Sequence, residues 1–389
     1  SGRMSMLIVA SLLIAASALT KYFGVTLIPL LAAYGFARSR RIGAWMLPLL
    51  IPFAVLAAYH VATRHLYGRS LLFDAAGYAA ERRWAGESPV VATIVKGLSF
   101  TGGCCASIVL LTMAALPMRT LMWTALGATA AFAALTFDPI GAALVRAGGG
   151  ARLLVQLAPW AGAGAAMLVM LGRRLWSARD AEALLLALWI GGTFCFSVFV
   201  NWNVAARSIL PLTPAAAIVA AGFYNSRGAG TISSRLQRRA WAGIAVSGIL
   251  ALLIAAADTS LARSQRQGAT ELAGLRERTK QLWFAGHWGF QHYIRGAARP
   301  LDAAQIDLAP GDIVIYPENN TAIIELPPGT VRRIELREYD VMPLVSTMLR
   351  GQAGFYSDVW GPLPFAFGPV PRENYHIVVV EVPVVDPPR

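Results

Sequence analysis

The chain has 389 residues, 56% hydrophobic and only 14% charged, with a mean hydropathy of +0.53, which excludes an ordinary water-soluble globule and points to a bilayer. The net charge of +13 is unevenly spread: residues 1–257 hold 21 Lys/Arg against 6 Asp/Glu, while 258–389 hold 13 against 15. Because the excess sits in short loops between apolar runs, it speaks for anionic lipid and cytoplasmic-loop retention and against a nucleic-acid partner.

The chain opens SGRMSM, without a signal peptide's charged start, apolar core and cleavage site, and reads as a truncated beginning. Uncharged runs follow at 4–20, 22–37, 42–63, 97–118, 120–137, 153–172, 183–206, 208–226 and 240–257. A helix needs about 20 apolar residues to cross the hydrocarbon, so about nine transmembrane segments are predicted. Run 22–37 is short and contains Pro29, and a re-entrant segment is its alternative. With the N-terminus cytoplasmic, Arg3 and the loops Arg38–Arg41, Arg119, Arg173–Arg179 and Arg227–Arg239 hold twelve arginines and no lysine, as the positive-inside rule requires. The predicted architecture is a polytopic α-helical membrane protein, with residues 1–257 as the transmembrane domain and 258–389 as a soluble α/β domain in the periplasm.

Lys21 falls between the first two runs, in ALTKYFGVTLIPLL. It reads either as a snorkelling anchor or as a fixed cation that, beside Tyr22, suits a lipid phosphate at headgroup depth. Residues 64–96 form an external loop, with a helix predicted at 70–84 that rests in the interface through Leu71, Leu72, Phe73, Tyr78 and Trp84. Arg64, Arg69, Arg82 and Arg83 make this loop basic, with Asp74, Glu81 and Glu87 interspersed; it reads as a surface touching anionic headgroups or as part of a donor-lipid site. His60 is a candidate base or an ordinary interfacial histidine. Cys104, Cys105 and Cys195 all lie in apolar runs and indicate neither a disulfide framework nor a thiolate metal site. The stretch DPIGAALVRAGGGA at 138–151 reads as a Gly-rich turn.

Arg207, in NWNVAARSILPLTP, precedes a helix interrupted by Pro211 and Pro214. Interrupted helices survive in a bilayer only where protein or a cavity covers their backbone, so Arg207 is either a helix-end anchor or part of a lined cavity. Beyond 257 the texture changes. Residues 260–282 are polar with spaced leucines and predict a helix leaving the membrane. DIVIY (312–316), TAIIEL (321–326), VRRIEL (331–336) and YHIVVVEV (375–382) predict strands. The aromatic segment GHWGFQHYIRGAARPLD offers His287, Trp288, Gln291, His292 and Tyr293, either to stack on and hydrogen-bond a sugar or to pack the tail. The sequon at 319–321 is too short to weigh.

These segments carry a resemblance. LLIAASALTKYFGVTLIPLLAAYGFARSRR resembles the stretch of GT-C type polyprenyl-phosphate-sugar glycosyltransferases in which an apolar helix ends in Thr-Lys and a second apolar run returns to a basic loop. This group includes the protein mannosyltransferases and the aminoarabinose transferases. RSILPLTPAAAIVAAG is similar to the later family segment in which Arg precedes a Pro-containing helix, although the common Arg-Tyr pair is Arg207-Ser208 here, and GHWGFQHY followed by GDIVIYP is similar to bacterial family-39-like proteins.

The resemblance implies a GT-C-like fold in the bacterial inner membrane. Its activity would be transfer of a hexosyl or pentosyl group from a polyprenyl-phosphate carrier to a periplasmic glycan, lipid or protein. Lys21, and more weakly Arg207, would contact the donor phosphate. The family carries its catalytic Asp or Glu in the first external loop, which would precede residue 1, so the chain alone is expected to be inactive. The chemistry admits a divalent metal ion but names no ligand for it. Two other classes compete: a lipid-linked-glycan transporter or flippase, which calls for paired intramembrane charges or an internal repeat, and a noncatalytic envelope-assembly protein.

Overall fold

The computed structural model describes residues 2–84, 89–114, 150–225, 234–301, 306–321, 323–324 and 326–385. The backbone divides into two compact units: Ser1–Leu144 with Leu157–Ala245, and Val145–Gln156 with Val246–Arg389.

The described part of the first unit is helical: α1 (Gly2–Thr20), α2 (Leu27–Ser39), α3 (Leu50–Tyr67), α4 (Leu71–Trp84), α5 (Val90–Cys104), α6 (Ala106–Ala114), most of α7 (Gly150–Ala178), α8 (Ala181–Cys195) and α9 (Thr213–Asn225). The start of α8 shows why one helix begins where it does. Asp180 is extended, and its carboxylate accepts the Ala183 N–H at 2.6 Å, satisfying one of the amides that a first turn leaves without an intrahelical partner. The interior gathers Phe100, Met167, Leu171, Ile190, Val204, Ile209 and Leu212, all buried.

Among the described residues four helical stretches are long and apolar enough to cross a membrane, Ala44–Tyr67, Leu153–Ala178, Ala181–Val200 and Ser234–Arg278, or five if α5 and α6 are one span with a 74° bend. Within the described residues this is fewer than the expected nine. Run 120–137 and the Gly-rich stretch 138–151, except for its last two residues, lie outside the described residues. Run 4–20 forms a short apolar helix, and run 22–37 divides into a 3-10 turn, Tyr22–Thr26, and the 13-residue α2. Run 208–226 is divided in the same way near Pro211 and Pro214, because a proline ring removes an amide donor and clashes with the preceding turn. The helix expected at 70–84 is present as α4.

Glycine lets α5 and α7 meet backbone to backbone. A methyl group at Gly102 would lie 2.0 Å from the Trp160 carbonyl oxygen, and one at Gly164 would lie 2.1 Å from the Leu98 carbonyl oxygen. Small residues at such crossings replace the hydrophobic drive that lipid does not supply.

The helix expected over 260–282 is instead the continuation of α10 (Ser234–Leu272), which gives way to a 3-10 turn at Ala273–Arg278. The second unit then forms a five-stranded mixed sheet from β1 (Leu282–Phe284), β2 (Arg299–Pro300), β3 (Ile313–Pro317), β4 (Val331–Tyr339) and β5 (Glu373–Val380), in the order β2-β1-β3-β5-β4. β1 runs parallel to β2 and β3, whereas β5 is antiparallel to both β3 and β4. Three of the four expected strands are thus present; in 321–326 the described residues form none.

Edge strand β4 carries Arg332, Arg333, Glu335, Arg337 and Glu338, charges that discourage pairing with another chain. Beneath the sheet, Phe284, Phe290, Tyr375 and Ile377 are buried with Ala269 and Leu272 of α10. Burying each large apolar side chain is worth about 1.5–3 kcal/mol.

Candidate functional site

Lys21 sits where α1 stops. Its own N–H still bonds the Ser17 carbonyl at 2.9 Å, but its backbone is extended, and a 3-10 turn folds back from it against α1. Only glycine allows that fold at position 24, since a Cβ there would lie 2.6 Å from the Ala18 nitrogen. The turn is then fixed on both sides. The Tyr22 hydroxyl meets the Tyr59 hydroxyl of α3 at 3.3 Å, and the Phe23 ring lies 4.7 Å from that of Phe196.

Phe196 opens a short π-helical turn, Phe196–Val200, that ends α8. Such turns break the regular hydrogen-bond ladder and recur at functional sites. Past it the chain runs irregularly to Ala205, with Asn203, Val204 and Ala205 buried. Side chains satisfy this backbone: Asn201 donates from Nδ2 to the Asn203 carbonyl at 2.7 Å and to Ser208 Oγ at 3.0 Å, and Ser197 donates to the Ser208 carbonyl at 2.6 Å. Trp189 donates to the Pro211 carbonyl at 2.8 Å. Irregular backbone in an apolar unit needs this kind of cover. Arg207 emerges from it exposed, between buried Ala206 and buried Ser208.

This folding puts Arg207 within electrostatic reach of Lys21. Although Lys21 is exposed as a residue, partial desolvation holds its ammonium below the usual lysine value, and the positive charge of Arg207 adds to the effect. Among the described residues neither side chain makes an ion pair or a side-chain hydrogen bond. An anion that neutralised both cations would relieve this repulsion, and ammonium and guanidinium groups are the usual partners of phosphate oxygens.

Other residues singled out in the sequence fall around α3 and α4. His60 Nδ1 lies 2.7 Å from Ser70 Oγ, and its ring packs edge-on against Phe73 at 5.1 Å. Ser70 in turn accepts the Phe73 N–H, which fixes the entry into α4. Arg69 pairs with Asp74 at 3.5 Å, so Asp74 is engaged; Arg64 is exposed at the end of α3. Tyr78 meets Trp202 edge-on at 6.1 Å, which ties α4 to the irregular stretch before Arg207. The side chains of Arg82, Arg83 and Trp84 and the structure of 85–88 lie outside the described residues. Sequence reasoning missed Tyr59, Ser70 and Trp202, whose only signal was adjacency to His60, Arg69 and the asparagines of NWN.

His287, Trp288, Gln291 and Tyr293 belong to the second unit, at the start of and within α11 (Trp288–Ile294). His287, Trp288 and Tyr293 are exposed and Gln291 is half-buried. Tyr293 takes the Arg266 guanidinium at 5.5 Å from its ring centre. The dipeptide Asn319-Asn320 proves structural. Asn319 donates both its N–H and its Nδ2 to the Glu373 carboxylate at 2.8 Å, and Asn320 is fully buried against His287. Burial pushes the Glu373 carboxyl up to about 7, against the lowering effect of the Asn319 bonds.

No group of three His, Cys, Asp or Glu side chains placed to hold a metal ion occurs among the described residues. Compared with protein-family models, with curated proteins and with solved structures, the chain matches none.

Proposed function

We propose that the chain belongs to a membrane glycosyltransferase that moves a sugar from a polyprenyl-phosphate carrier to a periplasmic glycan, lipid or protein, with Lys21 and Arg207 holding the carrier's phosphate. The observation that carries this reading is that those two cations, from distant segments of the helical unit, act on each other electrostatically with no described acid paired to either. The sequence resemblance at the same two segments supports it from a separate direction. In the transfer, the acceptor oxygen attacks the anomeric carbon, the bond from that carbon to the phosphate oxygen breaks, and the two cations stabilise the negative charge left on the carrier. Acceptor activation requires a carboxylate near the hydroxyl and is assigned to none of the residues around Lys21. The arginine-rich loops support placement in a bacterial inner membrane with the second unit outside.

The test is retention of radiolabelled undecaprenyl phosphate by the purified full chain in nanodiscs. Lys21→Ala and Arg207→Ala are each expected to weaken retention by about tenfold or more, the cost of losing a charge-assisted contact. Equal retention by the double variant would remove the phosphate from this site. Cysteine labelling of intact cells checks the orientation, and a cytosolic second unit would end the reading.

A further inference from the structure

Trp288 departs from ordinary backbone rules. Its φ is +59°, a left-handed conformation that is a true outlier for a bulky residue, and Gly286 two residues earlier also has positive φ, at +118°. Between them His287 is extended and is held in place by Asn320. The His287 N–H donates to Asn320 Oδ1 at 2.8 Å, and Asn320 Nδ2 donates back to the His287 carbonyl at 3.1 Å. Asn320 is fully buried, and its Oδ1 also accepts the Thr321 N–H at 2.7 Å. The fold therefore commits a buried amide, bonded through both its oxygen and its nitrogen, to keeping a strained backbone in place.

That strain places an indole in solvent rather than in the core. Trp288 is 42% exposed and its ring centre lies 5.4 Å from that of Tyr356, at 45°. Tyr356 is itself fixed, because its hydroxyl donates to the Asp258 carboxylate at 2.8 Å and Thr347 donates to the other oxygen of that carboxylate at 3.0 Å. An aromatic serving only as packing would be more stable buried on an unstrained backbone, and strain held by its surroundings clusters at ligand clamps, active sites and switches.

We infer that Trp288 and Tyr356 form a rigid stacking platform for the ring of a neutral sugar in an oligosaccharide. The apolar C–H face of a pyranose lies against aromatic faces, while exposed His287 supplies a polar group at the rim. The Asp258 carboxylate behind Tyr356 disfavours an acidic sugar. Naming a sugar as the ligand rests on the proposed glycosyl transfer; the strained and clamped geometry stands apart from it.

The experiment is saturation-transfer NMR on the purified full chain in detergent, with maltohexaose and N-acetylchitohexaose as probes. Expected are saturation transfer to at least one probe and a weakening of at least tenfold in Trp288→Ala. Trp288→Gly, which relieves the positive φ, is expected to lose binding equally while melting at or above the wild-type temperature. No transfer to either probe, equal transfer in Trp288→Ala, or a lowered melting temperature in Trp288→Gly would overturn the platform. So would quenching of Trp288 emission by brominated lipids in nanodiscs, measured as the difference from Trp288→Phe, since that would make it a bilayer contact. Retention of undecaprenyl phosphate, measured on the same preparations, separates the two ideas: its absence in protein that still binds sugar sinks the transferase reading alone.

Discussion

Arg207 lies close enough to Lys21 to oppose protonation of the ammonium, although the two residues come from segments far apart in the chain. Burial is the larger cause of the depressed lysine and the guanidinium the smaller, so removing the arginine relieves only part of it. In Arg207→Ala the Lys21 titration is expected to move to higher pH while staying below that of a free lysine, and Arg207→Lys should leave it nearly in place. The pH dependence of Lys21 acylation, read by mass spectrometry of the intact chain, measures this. An identical profile in Arg207→Ala would mean the two charges do not act on each other.

The α5–α7 crossing gives a test of packing free of any functional assumption. Gly102→Ala and Gly164→Ala each force a methyl group against backbone, which unlike a flexible side-chain end cannot move aside. Overpacking of this kind costs about 1–3 kcal/mol, and both variants should melt lower in detergent. Gly172→Ala, in the same helix α7 with open space around it, is the control; it should hold or gain up to about 1 kcal/mol from helix propensity.

The sequence revealed some of this architecture and hid the rest for identifiable reasons. Alternating or continuous apolar patterns marked β3, β4 and β5, because strand periodicity is local. Among the described residues fewer spans are found than the nine expected, because hydropathy registers an apolar run whether or not its backbone stays helical, and the turn at Tyr22–Thr26 and the break at Pro211 are backbone events. Lys21 and Arg207 could each be singled out by an unexpected charge beside an apolar run. Their proximity could not, since it depends on a glycine fold at Gly24 and on the Phe23–Phe196 contact between distant segments. Asn320 was hidden for a different reason: an asparagine in a polar stretch looks solvated, and only the tertiary fold shows that its amide clamps His287.

Asn320→Ala is accordingly expected to be one of the more damaging single changes in the second unit. It leaves the His287 N–H, the His287 carbonyl and the Thr321 N–H without their partner at a position with no solvent access. An unsatisfied buried polar group costs about 1–3 kcal/mol, and the strained Trp288 backbone loses its restraint as well. Thermal unfolding of the full chain in detergent is the measurement, with Asn374→Ala, whose partner Glu318 is not buried, as a milder comparison.

Glu373 makes the stability of the second unit depend on pH in a direction opposite to that of most carboxylates. Burial raises its carboxyl from 4.5 in the free side chain to about 7, the nearby Glu318 adds to the rise, and the two bonds from Asn319 pull the other way without winning. The folded form therefore binds a proton that the unfolded form has already released between those two values. Its stabilising contribution is complete below about 4.5 and is lost as pH rises toward about 7, with a limiting slope of about 1.4 kcal/mol per pH unit. Glu373→Gln keeps the shape without the titration and should flatten the melting temperature across that window. Asn319→Ala removes the lowering bonds and should carry the loss to still higher pH. Melting curves of the wild type and both variants at half-unit steps from pH 4 to about 8 test the linkage, and a wild-type slope that survives in Glu373→Gln would assign the effect to another group.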